Sequence, residues 1–259
     1  MAAGFKRRTA TVNLSTLLKF TNAISALVPE CIVSVRPEGL DTRAVDFANV
    51  GMIVVNAKVG EGSSLEADLG LDITAMKNIL KAISGSLPGD TPLVLQGRES
   101  GDPYRPYLEI EVKGELSQHI RIKTLDKRTI RKKPNPPIIA HSVRVDVQGN
   151  HLLNAVVACS FQSDQVRIVV DREGTCTIAA KGDNFQHKIE IARGGAGTAA
   201  AIYSIDYLKD ILKILSESTC ILRFQNDWPM EISANLNKEV RIRYLLAPKI
   251  EEEKGEDWI

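Results

Sequence analysis

The stretch MKNILKAI at residues 76–83 returns as LKDILKIL at residues 208–215, with both lysines in register. Apolar residues fall at i, i+3, i+4 and i+7 in each copy: Met76, Ile79, Leu80 and Ile83, then Leu208, Ile211, Leu212 and Leu215. This spacing is one face of an α-helix. Lys77 and Lys81, like Lys209 and Lys213, lie about a quarter-turn or more off that stripe, so each helix buries one face and offers two cations on another. Asp72 and Asp206 stand near the two N-terminal turns, where a carboxylate meets the positive end of the helix dipole.

The repetition extends beyond one helix. LLKFTNAIS (17–25) and LLNAVVACS (152–160) share Leu, Leu, Ala and Ser at equal spacing, and each is followed by a strand, a Glu-Gly turn (Glu38-Gly39, Glu173-Gly174) and a second strand. The matching pieces keep their order at offsets of 132 to 135 residues, which points to a duplicated domain. Between the halves lies TLDKRTIRKKPNPPIIA (124–140), where Pro134, Pro136 and Pro137 favour an extended connector and Lys127, Arg128, Arg131, Lys132 and Lys133 make it basic. The remaining apolar segments are short and alternating. Each half therefore reads as an antiparallel α+β domain with two helices on one sheet face. The expected organisation is 1–124, a connector at 125–139, a second domain at 140–249 and a flexible tail at 250–259.

Composition sets limits. With 259 residues, 44% of them hydrophobic, the chain can fill substantial cores. No apolar run approaches the roughly 20 residues of a membrane-spanning helix, and the N-terminus lacks the apolar core of a signal peptide. A cytosolic or nuclear protein with no membrane partner is expected. Cys31, Cys159, Cys176 and Cys220 stand apart among apolar neighbours, as buried thiols do. Neither these nor His119, His141, His151 and His187 have metal-ligand spacing, and no catalytic frame surrounds a Ser or Cys, so neither metal, cofactor nor catalytic residue is expected. The net charge of +1 leaves any nucleic-acid surface to local placement of lysines.

PEGLDTRAVD, GLDITAMKNILKAI, YSIDYLKDILKI, FQNDWPMEI and the terminal RYLLAPKIEEE together resemble the sliding-clamp family of DNA replication, proliferating cell nuclear antigen (PCNA), over nearly the whole chain. The match looks archaeal or eukaryotic, which implies cytoplasm on the nucleoid in the first case and the nucleus in the second. The resemblance implies three subunits, copies or paralogues, closed as a ring around duplex DNA, with sheets outside and helices lining the channel. Lys19, Lys77, Lys81, Lys209 and Lys213 would then face phosphates, a sequence-independent attraction. Asn154 stands in the second half where Lys19 stands in the first. The ring would act as a processivity factor for DNA polymerase, be opened by a clamp loader, and recruit partners such as flap endonuclease and DNA ligase. The resemblance also implies a pocket for a partner's short peptide, carried onto Val45, Met52, Ile130, Pro229, Leu245, Ala247 and Pro248. Subunits would join through edge strands near 107–123 and 174–182.

Two alternatives accompany this reading. The connector is more basic than the family's usual one, which suits a checkpoint-type clamp subunit with other partners. GAGTAA (195–200) fits GxGxxA after a strand-like segment, which raises a nucleotide-dependent enzyme.

Overall fold

The structure, a computed structural model, describes residues 8–98, 107–112, 117–182 and 186–250. The first half runs β1 (Thr9–Asn13), α1 (Leu14–Ser25), β2 (Glu30–Arg36), β3 (Gly39–Val45), β4 (Gly51–Ala57), β5 (Ala67–Asp72), α2 (Ile73–Ser84), β6 (Pro92–Arg98), β7 (Tyr107–Val112) and β8 (Gln118–Lys123). The second runs β9 (Val143–Gln148), α3 (Gly149–Cys159), β10 (Gln165–Val170), β11 (Cys176–Lys181), β12 (Gln186–Ala192), β13 (Ala199–Ser204), α4 (Ile205–Leu215), β14 (Thr219–Phe224), β15 (Met230–Asn235) and β16 (Val240–Leu246). One order of ten elements is thus written twice.

The chain forms two compact units. One holds residues 1–44, 54–135 and 237–240, the other residues 45–53, 136–236 and 241–259. In the first, β1-β6-β7-β8 are neighbours in an antiparallel sheet, β5-β2-β3-β4 form a second run, and α1 packs on α2. The second repeats this with β9-β14-β15-β16, β13-β10-β11-β12 and the pair α3 and α4.

The helices form where the apolar stripes require. α4 buries Ile205, Leu208, Ile211, Leu212 and Leu215. α2 buries Ile73, Met76, Leu80 and Ile83 and leaves Ile79 half-buried. Asp72 caps α2, its Oδ1 accepting from Ala75 N–H at 2.8 Å, a bond worth about 1 kcal/mol. Asp206 instead lies inside the first turn of α4, behind a Ser204 cap that makes no side-chain bond. All four cysteines are buried free thiols, and burial pushes Cys31 up to about 11 and Cys220 up to about 12.

Most terminal strands are covered. Gly60 and Leu65 donate to Thr11 and Thr9 on β1 at 2.7 and 3.0 Å, and Leu125 donates to Gly70 on β5 at 2.8 Å. Arg144 on β9 exchanges two bonds with Ala196, and Lys249 donates to Ile202 on β13 at 2.8 Å. Among the described residues β8 and β12 are different, each lying at the end of its sheet beside β7 and β11 with no further backbone bond on its outer side. The expected open edge at 174–182 is therefore corrected: β11 is an interior strand between β10 and β12, and the edge is β12. Both segments alternate like strands, and pairing order is not written in alternation.

GAGTAA also resolves differently from a dinucleotide loop. It leads into β13, which pairs antiparallel with β10, so no parallel β-α-β unit surrounds it. Gly197 has φ +85°, and a Cβ there would lie 1.9 Å from the Ser142 carbonyl oxygen. The glycine serves a tight approach of two backbone segments rather than a phosphate.

The connector is fastened to the first unit along residues 125–133. A Cβ on Gly70 would come within 2.6 Å of both Ile130 Cδ1 and Leu125 O, so that glycine gives Ile130 its seat. Among the connector's cations Lys133 turns inward onto an acid, and Arg128, though exposed, grips an acid of the connector itself. Lys133 Nζ reaches Asp41 Oδ2 at 2.9 Å and Ser34 Oγ at 2.6 Å, and Arg128 grips Asp126 with Nη2 at 2.6 Å. The basic run thus offers less free charge than its composition suggests.

Candidate functional site

Two surfaces carry the residues singled out from the sequence. The first is the polar side of the helix pairs. In the first unit Lys77 and Lys19 are half-exposed and Lys81 is exposed. Lys77 Nζ donates to Ser25 Oγ at the end of α1, 3.0 Å away, which ties the two helices. Lys81 lies in the last turn of α2, where a cation suits the dipole. α1 and α2 contain three lysines and no acidic residue of their own.

The second unit differs. Lys209 is half-exposed and Lys213 exposed, but exposed Asp206 and Asp210 share their helix. Lys213 Nζ is held by Asp210 Oδ1 at 2.9 Å. α3 adds exposed Asn150, His151 and Asn154 and no Lys, Arg, Asp or Glu, so the lysines and aspartates of α3 and α4 balance. The repeat preserved the lysines and not the field they make.

The second surface lies in the second unit. Residues 45–52 close a loop around Asp46. Its Oδ1 accepts from Val50 N–H (2.8 Å) and Gly51 N–H (2.6 Å), and its Oδ2 from Ala48 N–H (2.9 Å) and the Tyr207 hydroxyl (2.6 Å). Asn49 takes a φ of +60° inside the turn, a conformation Asn tolerates. Ala247 N–H donates to Val50 O at 2.8 Å, which sets the end of β16 beside this loop. β15 enters next to it, Met230 opposite Leu246, with half-exposed Pro229 one residue earlier. Val45, Met52, Pro229, Leu245, Ala247 and Pro248 are thereby gathered in one unit. Val45, Ala247 and Pro248 are half-exposed, whereas Met52 and Leu245 are buried floor. Ile130 belongs to the other unit and is buried.

Sequence reasoning missed several neighbours. A groove of about 370 Å³ opens beside Leu245, lined also by Pro137, Ile138, His141, Glu231 and Arg243. Ile138 is fully exposed, as is Phe47 on the Asp46 loop. Burial pulls the His141 pKa below the usual imidazole range, and its Nε2 is buried without a hydrogen-bond partner. Glu231 holds Arg223 at 2.8 Å across the strands. Exposed apolar residues in the connector were the one available signal.

The Asp46 cluster yields a pH prediction. Burial works against the charge, but bonds from Tyr207, Gly51, Ala48 and Val50 outweigh it and hold the carboxyl below the usual range. A depressed folded pKa contributes stability above the unfolded value of about 3.9, lost as pH falls through the folded value. Denaturant titrations from pH 6 to 3 should therefore show a steeper acid loss for the wild type than for Asp46→Asn. Equal slopes would mean that the carboxylate does not hold the loop.

No protein-family model matches the chain. Among solved structures it resembles A. fulgidus PCNA bound to the C-terminal region of FEN-1, at 25% identity and TM-score 0.79, over 95% of this chain and 99% of that one. It also resembles the fold of the PCNA2–PCNA3 complex from Sulfolobus tokodaii, with TM-score 0.76 at 14% identity over 94% of this chain and 100% of that one. The fold is that of a clamp of the PCNA type. The DNA polymerase sliding clamp of Methanoregula boonei is 32% identical over 93% of this chain and 98% of its own length, and that of Methanosphaerula palustris is 31% identical with the same coverage. The chain belongs to the DNA polymerase sliding clamp family. Among the described residues no helix is long and apolar enough to cross a membrane.

Proposed function

We propose that the chain completes a three-subunit ring around duplex DNA and does no chemistry of its own. The observation that carries this reading is the lysine pair repeated at one angular place on α2 and α4, the helices that each unit sets against its partner helix. Lys19, Lys77, Lys81, Lys209 and Lys213 hold the duplex by charge alone, without reading bases. An ATP-driven loader opens the ring. Once closed, the ring raises a bound polymerase's local concentration at the primer end.

Val45, Met52, Pro229, Leu245, Ala247 and Pro248 receive a partner's short peptide, an apolar recess with backbone groups on its rim. The relative from A. fulgidus, bound to a FEN-1 C-terminal region, supports flap endonuclease as one such partner, and ligase is proposed as a second. In an archaeal cell the complex works in the cytoplasm, on the nucleoid.

The test is topological. Loaded by an archaeal clamp loader onto a nicked circular plasmid, the protein should stay with DNA through gel filtration in high salt and be lost once the plasmid is cut. Equal loss from the uncut circle would refute the ring.

A further inference from the structure

The groove beside Leu245 holds a charge for which the apolar recess has no use. On β16 the residues Arg241, Arg243 and Leu245 share one side of the strand, while Val240, Ile242, Tyr244 and Leu246 are buried on the other. Pro136, Pro137 and Ile138 give the groove an apolar wall, and His141, Glu231 and Arg243 give it polar groups. Leu245 lines the groove and is also floor of the recess, so the two are continuous.

The charges on this side of the sheet are not evenly matched. Arg223 Nη1 donates to Glu231 Oε1 at 2.8 Å and to Ser233 Oγ at 3.2 Å, which engages it within the sheet. Arg243 reaches Glu231 Oε2 only at 3.6 Å, longer than a hydrogen bond. The register explains the gap, since Arg243 lies opposite Ser233 and Glu231 lies opposite Leu245. Two guanidiniums thus share one carboxylate. The surplus is presented by Arg243, whose side chain is 37% exposed against 12% for Glu231. His141 adds no charge at pH 7, because burial holds its pKa below the usual imidazole range.

We infer that the groove takes a carboxylate of the partner peptide, an Asp or Glu flanking the residues that fill the recess, and that Arg243 holds it. A guanidinium grips a carboxylate through two parallel N–H bonds, a geometry that Lys cannot supply. The proline and isoleucine wall limits the water that competes for those bonds, which strengthens them. A lysine on the peptide would instead meet two arginines and a glutamate already facing both. The inference rests on the recess reading, because it places the acid beside the recess.

Three labelled peptides test it, built on the A. fulgidus FEN-1 C-terminal sequence with the residues on both flanks of the recess-filling part made all Glu, all Gln or all Lys. At about 0.15 M salt the Glu form should bind the wild type about tenfold more tightly than the Gln form, and the Lys form should bind least tightly. Arg243→Gln should bring the Glu form down to the Gln form and leave the Gln form unchanged. Arg243→Lys should keep part of the preference, since it retains the charge and loses the fork. Thermal melts of both variants should coincide with that of the wild type, because Arg243 makes no hydrogen bond within the sheet. Equal affinity of the wild type for the Glu and Gln forms, or a preference that survives Arg243→Gln, overturns the inference and leaves the recess standing. Failure of the recess reads differently: no form would bind the wild type, or Pro248→Glu would bind the Gln form as the wild type does, and the inference would fall with it.

Discussion

Replacing Lys77 and Lys81 together by alanine is expected to weaken binding to a short DNA duplex roughly thirtyfold at about 0.15 M salt, and to lower the slope of log K against log salt by about 1.8. Each lysine that neutralises a phosphate releases condensed counterion, so two lost contacts change the slope as well as the affinity. The companion variant, Lys209→Ala with Lys213→Ala, should lose much less. Asp210 already holds Lys213 at 2.9 Å, and Asp206 shares its helix, whereas no acid offsets Lys77 or Lys81 on α1 or α2. Anisotropy of a labelled duplex across a salt series measures both quantities. Equal losses for the two pairs would mean that the field of the second unit is not cancelled in this way, and unchanged slopes would take all four lysines off the phosphates.

Pro248→Glu should lower affinity for a labelled partner peptide by about a hundredfold or more, since it sets an unpaired charge at the rim of an apolar recess. The substitution is a clean probe because of where Pro248 sits. Ala247 N–H bonds Val50 O on one side and Lys249 N–H bonds Ile202 O on the other, and neither bond uses Pro248. Leu245 and Met52 are poorer probes. Both are buried floor, and truncating a buried Leu or Met costs about 2–5 kcal/mol of folding stability. Retained peptide affinity in Pro248→Glu, with an unchanged melt, would move the binding site elsewhere.

The duplicated order was legible because each element has a periodic signal of its own, 3.6 for the helices and 2 for the strands. Asp72 was legible as a carboxylate at the positive end of the dipole, and its bond to Ala75 N–H makes it a cap as well. The periodic signal failed wherever the answer lay in pairing or in a remote partner. TCTIAA and HKIEIA both alternate, and only the sheet order makes the second an edge. GAGTAA has the right glycines for a phosphate loop, yet its close approach is to Ser142. Lys133 and Arg128 look free in a basic run until Asp41 and Asp126 are placed beside them. Lys213 looked equivalent to Lys81, although an aspartate three residues before it was already readable as a partner. Asp46 gave no signal, because a loop built on one carboxylate resembles any acidic turn.

For the proposed peptide docking, the fastening of the connector at Leu125, Ile130 and Lys133 sets where conformational entropy would be lost. Whatever residues 125–133 would lose in ordering was lost when the first unit folded, so a docking peptide need order only the few residues that follow. Three of these, Pro134, Pro136 and Pro137, have φ fixed by their own rings. The strap therefore behaves as a short, stiff latch with little slack, and peptide affinity here should depend more on the shape of the recess than on the mobility of the segment beside it.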